Sequence, residues 1–276
     1  MSALLAVDRR HRILQRVAEE QTIHIRELAT DLGVSEMTIR RDITRLERDG
    51  FLRRTYGGAT AHVTRSLELA FNARALQSAS AKRLIGMTAA PLVAGATTIF
   101  IGTGTTTEQL ALYLPARDEV TIITNSLPVA SLLGTRPGRV VVLGGGVRRD
   151  ELCCVGPVAC ATVRRYHADV AVLSAAGLSA RAGMTELDDE TAEVHRLMTD
   201  HSDALVAVVD GSKLGGVAPA VVVPVDSIST LVTDESADPG EADAVRSRGV
   251  NVIVAPHAPE RRARAAVDGG TPEGGS

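Results

Sequence analysis

Residues 25–54 read IRELATDLGVSEMTIRRDITRLERDGFLRR, and the N-terminal architecture follows from this stretch. Its first apolar residues recur at intervals of three and four, which predicts a helix over Ile25 to Leu32. Gly33 suits the left-handed turn that ends many helices, and Ser35 suits the capping position of a second helix. A helix, a tight turn and a further helix together predict a helix-turn-helix.

The second helix is predicted to bury one apolar stripe, Ile39, Ile43 and Leu46, against the first helix. Its basic side chains then face outwards, where arginine can pair with guanine or clamp a phosphate. The residues from Phe51 onwards predict a hairpin, or wing, beside the DNA backbone. The predicted DNA-binding residues are Ser35, Glu36, Thr38, Arg40, Arg41, Arg45, Arg53 and Arg54. The alternative is a small helical bundle whose arginines are only solvated.

Residues 9–60 resemble the N-terminal domain of the DeoR family of bacterial transcriptional regulators. The resemblance is carried by RELA at 26–29, VSEMTIRRDITRLERDG at 34–50 and YGGA at 56–59. TIRRD followed by a Leu-Glu pair and a Gly-Gly turn is more specific than a generic helix-turn-helix. Tyr56 departs from the family, which more often has histidine there. The resemblance implies a winged helix-turn-helix that binds operator DNA.

Charge is distributed unevenly along the 276 residues. The whole chain has 30 lysines and arginines against 33 acidic residues, whereas residues 1–60 have 11 against 9. This small basic excess predicts moderate non-specific affinity for DNA, so two or more copies are needed on one site. We therefore expect a homodimer or homotetramer. The scarcity of aromatic residues argues against a stacking platform for single-stranded nucleic acid.

Cysteine content and the start of the chain predict a cytoplasmic protein. Cys153, Cys154 and Cys160 form neither a Cys-x-x-Cys pair nor an even set, so we expect small buried residues in a reducing compartment. The apolar start over Met1 to Val7 is too short for a signal peptide. The uncharged run at 88–107 is interrupted by proline and glycine, which argues against a membrane span. No cofactor and no metal site is predicted.

The length allows two domains. We predict a winged helix-turn-helix domain over 1–62, a linker over 63–80, an α/β domain over 81–255 and a disordered tail over 256–276. Within the α/β domain, helical patterns alternate with short apolar runs that are typical of parallel strands covered on both faces. The predicted strands are Thr98–Ile101, Val120–Thr124, Val140–Leu143, Val170–Leu173, Leu205–Val209, Ile228–Thr233 and Val250–Val254.

Ligands of such sheets bind at the carboxyl ends of strands. The loop after the first strand reads GTGTTT at 102–107, and its backbone N–H groups and hydroxyls can surround a phosphate. It matches neither a Walker loop nor a full dinucleotide pattern, which favours a mononucleotide or sugar phosphate. The predicted effector-binding residues are Gly102, Thr103, Gly104, Thr105, Thr106, Thr107, Asn125, Gly144, Gly145, Asp210 and Lys213. The alternative is that the glycines serve turn geometry alone and that Lys213 is solvated.

Residues 68–254 resemble the effector domain of the same family. The matching segments are FNAR at 71–74, Lys82, GTGTTT at 102–107, TNSLPVA at 124–130, LGGG at 143–146, GMT at 183–185 and DGSKLG at 210–215. The resemblance implies a domain similar to sugar-phosphate isomerases such as ribose-5-phosphate isomerase, a phosphorylated sugar as effector, and a place for Lys82 in its site. Gly102 stands where the family often has aspartate, and His195 stands where lysine is common.

The predicted function is a non-enzymatic repressor of a carbohydrate-metabolism operon, controlled by a phosphorylated sugar. The main alternative is an active isomerase fused to a DNA-binding domain, which needs a carboxylate base and an electrophile. Its acidic candidates are Glu186, Asp188, Asp189, Glu190 and Glu193. They crowd a predicted helix start, where acidic residues serve as caps. His195 is expected on a solvent-exposed helix face rather than on a metal. A third possibility is a domain that only oligomerises.

Overall fold

The computed structural model describes residues 9–10, 12–13, 16–17, 22–48, 52–55, 57–61, 74–75 and 77–256, without the side chains of Arg53 and Ala61. Most of the predicted linker over 63–80 and nearly all of the predicted tail over 256–276 lie outside these residues. The boundaries of those two segments therefore stay predictions.

The N-terminal elements form a helix-turn-helix with a wing, as predicted. They are β1 (Thr22–His24), α1 (Ile25–Asp31), α2 (Glu36–Arg48), β2 (Leu52–Thr55) and β3 (Gly58–Ala61). The wing strands β2 and β3 pair antiparallel, and β1 adds a third strand beside β3. Gly33 has a φ of 63° between the two helices. The predicted stripe of Ile39, Ile43 and Leu46 is buried in one apolar cluster with Leu28.

A buried ion pair joins α2 to a helical segment that precedes β1. Asp42 is 6 % exposed, and its Oδ2 accepts a hydrogen bond from Arg9 Nε at 2.6 Å. Ile13 and Val17 from the same preceding segment are fully buried in the apolar cluster. Because a buried carboxylate requires a partner, this pair fixes the segment against α2.

Seven parallel strands form the central sheet of the larger part of the chain. They are β4 (Thr98–Ile101), β5 (Thr121–Thr124), β6 (Arg139–Val142), β9 (Val170–Leu173), β12 (Leu205–Val208), β14 (Thr230–Asp234) and β15 (Asn251–Ala255). All seven correspond to predicted strands, with ends that differ by two residues at most. The order is β15–β14–β12–β9–β4–β5–β6, so the winding direction reverses between β4 and β9. Open α/β sheets bind ligands at such a reversal point.

Helices cover both faces of this sheet. They are α3 (Ala79–Val93), α4 (Thr105–Tyr113), α5 (Leu127–Leu133), α6 (Pro157–Val163), α7 (Asp189–Asp200) and α8 (Pro239–Ser247). Successive strand residues alternate between two cores, so that Phe100 packs with α6, α7 and α8 while Ile99 and Ile101 pack with α3, α4 and α5. Burial on both faces explains why the predicted strands are continuously apolar.

Within the larger part of the chain, five described strands were not predicted from the sequence. β7 (Gly146–Arg148) and β8 (Cys153–Val155) form a hairpin, and β10 (Gly177–Ser179), β11 (Gly183–Glu186) and β13 (Ala220–Val223) form a small antiparallel sheet. Each has only three or four residues, which is too short for an alternating pattern to be distinctive. The hairpin contacts the carboxyl edge of the central sheet, where Cys154 N donates to Asn125 O at 2.8 Å.

The three cysteines are buried, as predicted. Burial raises the pKa of Cys153 to about 12, so its thiol is not a nucleophile at neutral pH. Within the described residues, no helix is long and apolar enough to cross a membrane.

Candidate DNA-binding surface and effector site

Ser35 caps the start of α2. Its Oγ accepts a hydrogen bond from the backbone N–H of Thr38 at 3.2 Å and lies 2.9 Å from Thr38 Oγ1. Both hydroxyls are therefore held at the positive end of the helix dipole. Glu36 in the first turn lies 3.5 Å from guanidinium nitrogens of both Arg26 and Arg40. At the start of α2, its carboxylate is thus the acidic neighbour of two exposed arginines.

An exposed basic surface extends along α2 to the wing. It is lined by Met37, Arg40, Arg41, Thr44, Arg45, Arg48 and Arg54. The wing is joined to α2 because the backbone N–H of Arg54 donates to Glu47 Oε1 at 3.0 Å and its guanidinium donates to Thr44 Oγ1 at 3.3 Å. The backbone of Arg53 lies in β2 opposite Thr60, and its side chain lies outside the described atoms.

Three members of this basic surface, Met37, Thr44 and Arg48, were not predicted from the sequence. The signal for Arg48 was present, since it follows Arg41 by two helical turns and so occupies the same face. Four of the predicted DNA-binding arginines, Arg40, Arg41, Arg45 and Arg54, lie on this surface.

The predicted phosphate loop follows β4 at the reversal point of the sheet. Gly104 has a φ of 137°, and α4 begins at the next residue without a side-chain cap among the described atoms. The N–H groups in the first turn of a helix have no partner within the helix. The start of α4 therefore presents unpaired donors at the carboxyl edge, in the arrangement that suits an anion.

The threonine hydroxyls of this loop are not equally available to a ligand. Thr107 Oγ1 donates to Gly102 O at 2.9 Å and Gly104 O at 2.8 Å, and Thr103 Oγ1 donates to Glu151 O at 3.1 Å. These two hydroxyls fix the shape of the loop. Thr106 Oγ1 is buried and makes no hydrogen bond to the described residues. The hydroxyls of Thr103 and Thr107 are thus engaged within the protein, and the phosphate-binding role of the loop stays a prediction.

His195 corrects a second expectation, because it is fully buried rather than solvent-exposed. A Cβ added to Gly102 would lie 2.8 Å from His195 Nε2, so the imidazole packs against the bare Cα of the loop. On the other side of the ring, Nδ1 lies 3.5 Å from Glu186 Oε1. Neither ring nitrogen makes a hydrogen bond within the described part of the chain. Gly102 and His195, the two positions of the effector domain where the resemblance leads us to expect other residues, thus lie next to each other.

Asn125 lies at the end of β5, next to the phosphate loop in the strand order. It is fully buried, and neither its amide nitrogen nor its amide oxygen has a hydrogen-bond partner among the described residues. An unsatisfied buried amide costs about 1–3 kcal/mol. Its donor and acceptor are therefore ready for a polar ligand group.

Charged side chains from α3 and from the end of β12 come together near the loop. Lys82 is 3 % exposed, and its Nζ donates to the carbonyl oxygen of Arg74. The pKa of Lys82 is lowered to about 8, mainly by burial. The negative charge of Asp210 opposes this shift, whereas the positive charges of Lys213 and Arg74 add to it. Asp210 is buried and caps the following turn by accepting from Ser212. Asp210 and Lys213 are thus close enough to Lys82 for their charges to act on it, and their role in effector binding stays a prediction.

Gly144 and Gly145 lie apart from these groups, two strands away from β4 and exposed. Gly145 has a φ of 122°, and a Cβ there would lie 2.4 Å from Val155 O. This glycine therefore allows the β7–β8 hairpin to approach the end of β6. Turn geometry accounts for Gly145 without a ligand.

Two of the five acidic residues proposed for an isomerase, Asp188 and Glu193, have structural partners. Asp188 caps α7 by accepting from Thr191 N at 2.9 Å, and it also pairs with Arg148. Glu193 pairs with Arg196 on the same helix. The cluster is a helix start, as predicted.

Two residues near the loop carried no prediction. The guanidinium of Arg74 pairs with Glu151 Oε1 and donates to Asp150 O at 2.7 Å. Glu151 in turn accepts the hydroxyl of Thr103 through its backbone. Arg74 belongs to the matched segment FNAR, but Glu151 precedes the unpredicted strand β8 and had no local signal.

Two family models match the chain, one for each part. Residues 9–65 match the DeoR-like helix-turn-helix domain, and residues 77–235 match the DeoR C terminal sensor domain. Among solved structures, ribose 5-phosphate isomerase A from Neisseria gonorrhoeae aligns with a TM-score of 0.34 at 19% identity, over 48% of this chain and 52% of that one. The sorbitol operon regulator SorC from Klebsiella pneumoniae aligns with a TM-score of 0.37 at 13% identity, over 87% and 98%.

Curated relatives match over nearly their whole length. The transcriptional regulator YulB of Bacillus subtilis (strain 168) is 30% identical over 92% of this chain and 98% of its own. The transcriptional repressor CsqR of Escherichia coli (strain K12) is 33% identical over 85% of this chain and 90% of its own. With a helix-turn-helix followed by a sensor domain, the chain belongs to the DeoR family of transcriptional regulators.

Proposed function

We propose that the protein is a cytoplasmic repressor of a carbohydrate-metabolism operon, which binds double-stranded operator DNA as a homodimer or homotetramer. A phosphorylated sugar at the carboxyl edge of the central sheet controls this binding. One observation carries the proposal: the chain combines an exposed arginine surface on α2 with an effector domain in which α4 begins without a side-chain cap and Lys82 is buried.

The DNA half of the proposal rests on α2, which enters the major groove. Ser35 and Thr38 at its start contact phosphate or base edges, and Arg40 and Arg41 pair with guanine or phosphate. Arg45, together with Arg53 and Arg54 of the wing, contacts the backbone and sets the docking position. Side-chain contacts between Arg54 and α2 support one continuous surface.

The effector half rests on complementary groups at the carboxyl edge. The phosphate binds the N–H groups of Thr105, Thr106 and Thr107, where the helix dipole favours an anion. Lys82 and Lys213 neutralise its charge. The unpartnered amide of Asn125 bonds sugar hydroxyls, and a hydroxyl that satisfies both amide atoms removes the cost of their burial.

We further propose that the protein does not isomerise its effector. Isomerisation needs a carboxylate free to take a proton from carbon. Asp188 is engaged by its helix cap and by Arg148, and Glu193 is engaged by Arg196. The relatives reported above carry regulator and repressor names, which agrees with a binding role.

Fluorescence anisotropy on DNA from upstream of the protein's own gene, with competitor DNA present, tests the proposal. We expect specific binding that changes about 5–150-fold when one member of a panel of sugar phosphates is added. Asn125→Ala should bind the DNA and lose this response. Arg83→Ala is the matched control, because Arg83 is exposed on α3 and bonds Tyr113 Oη at 2.9 Å.

Each part of the proposal has its own contrary result. If the protein does not bind this DNA specifically, the proposal that it regulates this DNA is wrong. Specific binding that no phosphorylated sugar alters contradicts the effector class. Conversion of an aldose phosphate to its ketose, at a rate lost in a Lys82→Met variant, contradicts the non-enzymatic role.

A further inference from the structure

Glu36 lies between two arginines from different helices at the start of α2. Its Oε1 lies 3.5 Å from Nε of Arg26 in α1, and its Oε2 lies 3.5 Å from Nη2 of Arg40 in α2. The side chain of Glu36 is 44 % exposed, that of Arg40 is 47 % exposed and that of Arg26 is 90 % exposed. We call Arg26, Glu36 and Arg40 the Glu36 triad. All three of its charged groups are accessible to a partner.

The Glu36 triad borders the surface that is proposed to face DNA. Arg40 lines the basic surface of α2 and also a second concave surface, which it shares with Arg26, Glu36 and Gly57. Gly57 lies in the turn of the wing, and its carbonyl oxygen accepts a hydrogen bond from the backbone N–H of Ile25 at 3.0 Å. The start of α1, the start of α2 and the wing turn therefore meet at one concave surface, and the carboxylate of Glu36 lies on it.

Helix stability accounts for only part of this placement. An acidic residue in the first turn interacts favourably with the helix dipole, and a Glu–Arg pair four residues apart stabilises a helix slightly. Neither effect involves Arg26, which belongs to the other helix, and half-exposed ion pairs at this distance contribute little. A carboxylate on a phosphate-binding surface also repels phosphate and so weakens non-specific binding. A hydrogen-bond donor of the DNA would offset this repulsion.

The major groove presents such donors on cytosine and adenine, as the amino groups N4 and N6. In a G·C pair the cytosine amino group bonds guanine O6, so a donor and an acceptor lie about 3 Å apart. Glu36 and Arg40 present the complementary acceptor and donor 3.5 Å apart. A carboxylate has about four lone-pair sites and a guanidinium has five N–H groups, so both can bind a base without leaving each other. Guanine also offers N7 beside O6 to the arginine fork, whereas thymine offers one acceptor beside its methyl group.

We propose that Glu36 and Arg40 together read one G·C base pair in each half of the operator. The carboxylate accepts from the cytosine amino group, and the guanidinium donates to guanine O6 and N7. This inference rests on the proposed function, because it takes α2 to enter the major groove. If thymine replaces the cytosine, its O4 faces the carboxylate and two acceptors meet without a proton between them. Glu36 is thus a specificity-determining residue, which lowers affinity for other sequences.

The test compares Glu36→Gln, Glu36→Ala and Arg40→Ala with the control Glu27→Gln in the full-length protein. The wild type first selects its preferred duplex from a library of random sequences, and anisotropy then measures the affinity for duplexes in which each base pair is exchanged in turn. We expect one position in each half-site where the change from G·C to A·T weakens wild-type binding about 5–150-fold.

Glu36→Gln should reduce this penalty about threefold or more, because an amide can also donate to thymine O4. Glu36→Ala should reduce it too, because it removes the repulsion between two acceptors. Arg40→Ala should reduce the penalty at the same position. The control Glu27→Gln loses the same charge from an exposed residue in the first turn of α1, and it should keep the wild-type penalty. Thermal unfolding confirms that each variant is folded.

Three results would overturn the inference. The first is that both Glu36 variants keep the wild-type penalty at every position. The second is that Glu27→Gln reduces the penalty as much as Glu36→Gln does, which would indicate a general effect of charge. The third is that the Glu36 and Arg40 variants change the preference at different positions. A wild type that selects a duplex without such a G·C position contradicts this inference alone, whereas a wild type that selects no duplex contradicts the proposed function as well.

Discussion

Replacing Gly102 by alanine adds one methyl group at the most crowded point of the phosphate loop. The new Cβ would lie 2.6 Å from Leu173 Cδ2 and 2.8 Å from His195 Nε2. Both side chains are fully buried, so neither can turn into solvent. Overpacking of this kind costs about 1–3 kcal/mol. For a chain of this size, each 1 kcal/mol lowers the midpoint of thermal unfolding by about 2–4 °C.

Scanning calorimetry of the full chain measures this effect, with Gly95→Ala as the control. Gly95 is exposed, and its Cβ would meet nothing within 4 Å, so the control should stay within about 0.5 kcal/mol of the wild type. In a His195→Ala background, the cost of Gly102→Ala should fall by about 0.5–3 kcal/mol, because the imidazole is one of the two obstacles. Strictly additive costs, or a Gly102→Ala protein as stable as the control, would refute the packing argument.

Three further predictions concern the two sites. Arg41→Ala should weaken operator binding in anisotropy about 5–150-fold, because the contact it removes contributes about 1–3 kcal/mol, and the midpoint of thermal unfolding should not change. A variant with normal operator affinity would contradict the placement of α2 in the major groove. Raising the pH from 7 to 9 should weaken sugar-phosphate binding measured by calorimetry, because Lys82 has a pKa of about 8 and loses the positive charge that attracts the anion. If the affinity rises over this pH range, Lys82 does not belong to the phosphate site. Asn125→Leu should abolish sugar-phosphate binding without lowering the free energy of unfolding, since it removes a buried amide that has no hydrogen-bond partner among the described residues. A large loss of stability would show that the amide has a partner within the protein.

The strands of the central sheet could be predicted because each is recognisable from its own short run of residues. Strands such as Val170–Leu173 are buried along their whole length, so their sequence is apolar throughout. The helix-turn-helix was predictable for the same reason, since the cap at Ser35 and the turn at Gly33 are set by their own residue types. Such features need no knowledge of distant parts of the chain.

The error at His195 came from an unpredicted layer of structure. The helix α7 packs on β9 of the central sheet and also on β11 and β13 of the small antiparallel sheet. Arg196 donates to the carbonyl oxygen of Val222 at 3.2 Å, which ties the opposite side of the helix to that sheet. A helix covered on two sides buries more than one stripe, so the neighbours of His195 in sequence gave a misleading picture of its exposure.

The contacts that hold the phosphate loop in place could not be predicted from the sequence, although the loop and the start of its helix could. The donors of α4 belong to one short segment, whereas Arg74 meets Glu151 across 77 residues of sequence. Thr103 and Arg74 nevertheless share Glu151, and Lys82 bonds the backbone of Arg74. The support of the loop thus depends on contacts between residues that are far apart in the sequence, which no local pattern predicts.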